Sequence, residues 1–241
     1  MSDIDILERN QEREPVFNVP SIILSLLALL FLIHFIRENF LGNADALWVL
    51  FQFAFIPARY SAQQGGIIFD LATLWTPISY SFLHGDWAHL IVNSIWLLAF
   101  GSVVARRFEW LRFSIFCISC SCFGALAHYI FYAGSPVPMI GASAIVSGCM
   151  GAAVRFAFPS TGQFSPKSFD LPVQKLSQAF KNRQVVVFTV VWFSINLLFG
   201  LGGEFVAGQG QSIAWEAHVG GFLCGLLLFK IFDRRSFDRR D

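Results

Sequence analysis

Six apolar stretches, each close to the length of one bilayer crossing, dominate the chain and limit what it can become. A hydrocarbon core needs about 20 mostly apolar residues in helical form. Lipid cannot satisfy backbone N–H and C=O groups, so such stretches must close their own hydrogen bonds as helices. They run from about Pro20 to Arg37, His84 to Arg107, Leu111 to Phe131, Ala142 to Phe158, Gln184 to Leu201 and Ala217 to Phe232. Of the 241 residues only 14% are charged, against about 25% in soluble domains. The fold class expected is all-α, a polytopic membrane protein of six transmembrane helices.

The basic residues orient these spans. Arg9 and Arg13 precede the first, Arg106, Arg107 and Arg112 follow the second, and Arg155, Lys167, Lys175, Lys181 and Arg183 follow the fourth. Lys230, Arg234, Arg235, Arg239 and Arg240 close the chain, and the alternate gaps hold only Arg37 and Arg59. The positive-inside rule puts both termini and the 159–183 loop in the cytoplasm. The expected organisation is a cytoplasmic tail over 1–19, a membrane domain over 20–232 and a second cytoplasmic tail over 233–241. Within 38–83 lies "ALWVLFQFAFIPARY", broken by Pro57 and Arg59. A seventh span there would invert every later gap, so it is read as an interfacial segment in the outer leaflet. The acidic, polar start is the wrong flank for a cleavable signal peptide. The five cysteines sit in apolar runs and read as packing residues rather than as a disulfide framework or metal site. The balance of charge offers nothing to nucleic acid, and the bilayer is the partner that composition demands.

Polar groups inside spans are costly, so each is a functional candidate. They gather at three openings: "HGDWAHLIVNS" with His84, His89 and Asn93, "IGASAIVSG" with Ser143, and "EAHVGGFLCG" with His218. By the orientation above, all three face the outer side. A serine is a weak nucleophile until a base takes its proton, and neutral histidine is such a base. Small residues let helices approach closely in membranes. Gly148 lies in one small-residue row of the fourth span, and Gly221 and Gly225 share the face of His218 on the sixth. These two spans are expected to touch, with Ser143 and His218 at the top of the contact. Backbone N–H groups around Gly141, Ala142 and Ser143, with His89 and Asn93 one turn apart on one face, could serve as donors to an oxyanion. No acid stands out to orient His218, so a dyad is expected rather than a triad. His34 and His128 read as packing residues, Asp86 as part of a helix-start turn, and Glu204 and Glu216 as facing outer water. A zinc site from His84, His89 and His218 lacks a carboxylate on the same helix, so neither metal nor cofactor is expected.

The three motifs in this order resemble the rhomboid family of intramembrane serine proteases, over about residues 70 to 232 with the first span fitting too. The resemblance implies a six-helix bundle with a membrane-embedded first loop. It implies Ser143 as nucleophile, His218 as general base, His89 and Asn93 with the Gly141–Ser143 backbone at the oxyanion site, and His84 in support near its mouth. Single-span membrane proteins, cut in or near the outer bilayer, would be the substrates. The compact form suggests a bacterial inner membrane. Two positions depart from the family pattern. Position 144 is Ala where the family usually has Gly, which suits a helical backbone but not a positive φ. Ser147 stands where some relatives carry an aromatic against the histidine, so His218 must be oriented otherwise. A rival reading is an inactive relative that binds and escorts membrane segments, although this chain keeps both serine and histidine. A transporter would need a polar path through the spans, and the polar groups lie on one side only.

Overall fold

A computed structural model describes residues 19–61, 70–158, 173–201 and 214–233. Both tails, most of the 159–183 loop and Glu204 therefore lie outside the described residues. The described residues form helices without strands. Helix α1 spans Ser21–Phe40 and begins behind Pro20, whose fixed φ and missing N–H suit a helix start. The long helices are α3 (Trp87–Ala105), α4 (Trp110–Tyr132), α6 (Arg183–Leu201) and α7 (Trp215–Phe232). With α1, these are the five helices among the described residues that are long and apolar enough to cross a membrane.

The fourth apolar stretch folds differently from the expected Ala142–Phe158 span. Its helix, α5, covers Ser143–Ala153 and is followed by turns. Eleven residues rise about 16 Å, half of a bilayer core. The short helix is possible because α5 is wrapped by protein, with nearly every residue buried. Non-helical backbone at membrane depth survives only where protein or a cavity satisfies it. The approach to α5 shows how. Met139 exchanges both backbone hydrogen bonds with Phe55, and the Gly141 N–H donates to the Tyr80 carbonyl at 3.0 Å. At the other end the Arg155 guanidinium donates to the carbonyls of Leu226 (2.6 Å) and Gln174 (2.9 Å).

The first loop carries α2 (Asn43–Phe53), again too short to span, which buries none of its side chains. Leu47, Trp48 and Phe51 are exposed on it, as an interfacial helix requires. The loop then folds back on the bundle. Tyr60 donates to the Thr73 carbonyl and Tyr129 donates to the Tyr60 carbonyl. Tyr80, fully buried, donates to the Ser121 carbonyl of α4 at 3.0 Å. This loop is thus the floor on which the turn before Ser143 rests.

Helices α5 and α7 run parallel in near-backbone contact. A Cβ built on Gly221 would lie 2.1 Å from the Ala144 carbonyl oxygen, and one on Gly225 would lie 1.8 Å from that of Gly148. On its other side Gly148 faces Cys120 of α4, whose Sγ would stand 2.2 Å from an added Cβ. Four of the cysteines are buried and all are free. At the opposite end from Ser143, a buried ion pair joins Arg107 to Asp233 at 2.6 Å. Arg107 also lies 4.4 Å over the Phe156 ring, so this residue is part of the packed interior.

Candidate active site

The N-terminal ends of α3, α5 and α7 meet at one level. Asp86 caps α3 by accepting the His89 backbone N–H at 2.7 Å. This sets the first turn, so that His89 and Asn93, four residues apart, both face the Gly141 turn. A Cβ on Gly141 would come within 2.8 Å of His89 Nε2 and 3.7 Å of Asn93 Nδ2. Gly141 has φ +124°, a conformation that a side chain strongly disfavours. This is the one position of the motif where glycine is demanded on both counts.

Ala144 is different. It lies inside α5, no residue other than glycine has positive φ among those described, and its Cβ packs beside Gly124. The departure from Gly at 144 therefore meets a helical backbone and adds no strain.

The backbone donors expected at Gly141 and Ala142 are used inside the scaffold. Gly141 donates to the Tyr80 carbonyl, and Ala142 donates to His84 Nε2 at 3.4 Å. The first helical bond of α5 runs from Val146 to the Ala142 carbonyl. The N–H groups of Ser143, Ala144 and Ile145 thus have no acceptor within the helix. His84 is fully buried and accepts the Ala142 N–H at Nε2. Its carbonyl takes a 2.8 Å hydrogen bond from Arg37 at the end of α1. His84 is thus a strut between α1 and the Ser143 turn.

A cavity of about 360 Å³ opens between α3, α5, α6 and α7. Its walls include Ser143, His218, Asn93, Ser147 and Asn196, and otherwise apolar side chains such as Trp96, Val191 and Ile195. Asn93 is 5% exposed, and its Nδ2 has no partner among the described residues. A buried amide donor without a partner is costly, and here it borders the cavity that Ser143 lines. His89 packs edge-on to His84, with ring centroids 5.0 Å apart. Its Nδ1 faces the Gly85 N–H at 3.5 Å, which leaves Nε2 as the N–H side toward Gly141.

His218 is held through Nδ1, which lies 2.5 Å from Asn196 Oδ1 of α6. No motif in the sequence marks Asn196. It is an amide in a mainly apolar span, so the cost of burying an amide was the signal available. Glu216 also departs from expectation. It is 1% exposed and hydrogen-bonded to His128 of α4 rather than facing water. A carboxylate at this depth is stable only with such a partner. His34 is a buried packing residue, its ring edge-on to Trp87 at 4.6 Å. Among the described residues no cluster of His, Cys, Asp and Glu could hold a metal ion.

The Rhomboid domain family matches residues 71–235, more than half of the chain. The chain belongs to the rhomboid family. This rhomboid is therefore an all-α integral membrane protein with a rhomboid-type helix bundle. It is similar to the Rhomboid protease GluP of Bacillus subtilis (strain 168), at 26% identity over 151 residues, 63% of this chain and 24% of GluP. It is also similar to uncharacterized proteins of Mycobacterium bovis and Mycobacterium tuberculosis, at 28% identity over 162 residues, 64% of this chain and 57% of each. The matched region of this rhomboid thus spans about a quarter of the Bacillus protease and just over half of the mycobacterial proteins.

Proposed function

We propose that this rhomboid is an intramembrane serine endopeptidase that cuts single-span membrane proteins in or near the outer part of the bilayer. The observation that carries the reading is that Ser143, His218 and Asn93, whose Nδ2 has no partner among the described residues, line one cavity. In this mechanism His218 takes the Ser143 hydroxyl proton at Nε2 as Oγ attacks the scissile carbonyl. The oxyanion receives hydrogen bonds from Asn93 Nδ2, the Ser143 N–H and His89 Nε2–H, each such donor contributing about 3 kcal/mol in the transition state. His218 then protonates the leaving amine, and water, activated in the same way, releases the acyl group. The apolar rim offered by Trp96, Val191 and Ile195 suits a substrate segment arriving from lipid rather than from water.

The test is cleavage of a tagged single-span substrate by detergent-purified protein, beside Ser143→Ala. Wild type is expected to cut and to be labelled by a fluorophosphonate at Ser143, and Ser143→Ala to do neither. Persistence of cleavage in Ser143→Ala overturns the serine mechanism. No cleavage of several substrates and no labelling would instead favour a protein that binds membrane segments. The same reading includes a bacterial cytoplasmic membrane, suggested by the compact form, and both termini in the cytoplasm, by the distribution of Lys and Arg. A phosphatase fusion at the C-terminus, expected to be inactive, tests that orientation.

A further inference from the structure

We infer that Asn196 is the positioning residue for His218, fixing the tautomer and the plane of the imidazole so that Nε2 faces Ser143; the inference rests on the protease reading. The amide of Asn196 cannot be turned either way. Its Nδ2 donates to the Trp192 carbonyl one turn back in α6 at 2.8 Å, and a carbonyl can only accept. Oδ1 is therefore the atom presented to His218, and Nδ1 must be the protonated ring nitrogen that donates to it over 2.5 Å. A neutral imidazole with its proton on Nδ1 keeps its lone pair on Nε2. That is the tautomer a general base for Ser143 needs.

The pairing is built into the register of two antiparallel helices. Trp192, Asn196 and Gly200 recur at every fourth residue and form one stripe of α6. Each meets α7: the Trp192 ring stacks on Phe222 with centroids 4.5 Å apart, and a Cβ on Gly200 would stand 2.2 Å from Trp215 Cδ1. Asn196 lies between these two contacts and His218 between Trp215 and Phe222. The stacked ring below and the close approach above hold the amide at the level of the imidazole. Asn196 is 8% exposed. From α5, Ser147 is the residue one turn beyond Ser143, and its short side chain borders the cavity without a ring to pack on the histidine. The Asn196 bond is then what restrains rotation of His218.

The experiment compares Asn196→Ala, Asn196→Leu and Asn196→Asp in the full chain with wild type, reading kcat and KM for a single-span substrate and the rate of fluorophosphonate labelling of Ser143. Thermal unfolding is followed for each variant. A general base contributes about 10² to 10⁴ in rate, so loss of its orientation is expected to lower kcat and labelling by about 30-fold or more in the Ala and Leu variants, with KM within about twofold. Asn196→Asp keeps the acceptor for Nδ1–H and is expected to stay within about fivefold of wild type. Leucine keeps the branched shape of asparagine but removes the acceptor for Nδ1–H, so a packing role alone would leave kcat and labelling near wild type in Asn196→Leu as well as in Asn196→Asp. That pattern overturns the inference, as does a folded Asn196→Ala with wild-type kcat. If wild type itself neither cuts nor is labelled at Ser143, it is the protease reading that fails.

Discussion

Gly221 of α7 rests against the Ala144 carbonyl of α5, with no room for a methyl group between them. Because Ala144 follows Ser143 and Gly221 lies three residues after His218, this contact sets how closely the serine and the histidine approach. The obstacle to a side chain is backbone on the neighbouring helix, which can give way only if the two helices separate. Gly221→Ala and Gly225→Ala are therefore expected to cost about 1–3 kcal/mol or more. Thermal unfolding of the detergent-solubilised protein reads the loss. Gly221→Ala, nearer the site, is expected to lose more activity than Gly225→Ala for the same drop in stability.

Ala144 invites the opposite substitution. Gly at this position removes a methyl packed beside Gly124 and loosens the first turn of α5. A helical Ala→Gly change costs about 1 kcal/mol. Ala144→Gly is expected to lower the unfolding temperature by a few degrees without raising kcat. A gain in kcat with no loss of stability would mean that the backbone at 144 leaves the helical region during the reaction.

How far the sequence showed all this differs from residue to residue. Ser143, His218 and Asn93 stood out because each opens an apolar run where a polar side chain has no packing reason to be. Their common cavity needed the fold, because three helix ends must be set at one level by contacts such as Gly221 on Ala144. Asn196 carried the same signal of an amide in a span but no neighbouring motif, and nothing in spacing joins it to a histidine 22 residues away. Glu216 looked like a rim residue because it opens a helix. Its partner His128 is 88 residues distant on α4, and only the packing of α4 against α7 brings them together. The shortness of α5 was hidden as well, since an apolar run does not tell whether lipid or protein surrounds it.

The ion pair between Arg107 and Asp233 gives a test at the other end of the bundle. Both side chains are almost wholly buried. Removing one partner of a buried pair typically costs about 3–5 kcal/mol, whereas replacing both by apolar groups is often neutral. Asp233→Ala is expected to lower the unfolding temperature strongly, and the double variant Arg107→Met with Asp233→Ala to recover much of the loss. Thermal unfolding of the single and double variants, read as a cycle, gives the coupling. Arg107→Met alone leaves the Asp233 carboxylate buried without its arginine partner, so it is expected to fall below the double variant.

Asn93 separates binding from chemistry. Its Nδ2 is buried and without a partner among the described residues, at the edge of the cavity lined by Ser143 and His218. In the resting protein the amide therefore adds little to stability. Asn93→Ala is expected to leave the unfolding temperature nearly unchanged, or slightly raised, because it removes an unsatisfied donor. In the reaction the same donor meets charge that develops on the substrate carbonyl, and its loss is expected to lower kcat by about 10² to 10³ with little change in KM. Asn93→Asp retains the shape but replaces the donor with a carboxylate that repels the oxyanion, so it is expected to be at least as inactive. The measurement is steady-state cleavage of a single-span substrate beside a thermal melt of each variant. A large fall in stability with unchanged kcat would make Asn93 a clamp between α3 and α5 rather than an oxyanion donor.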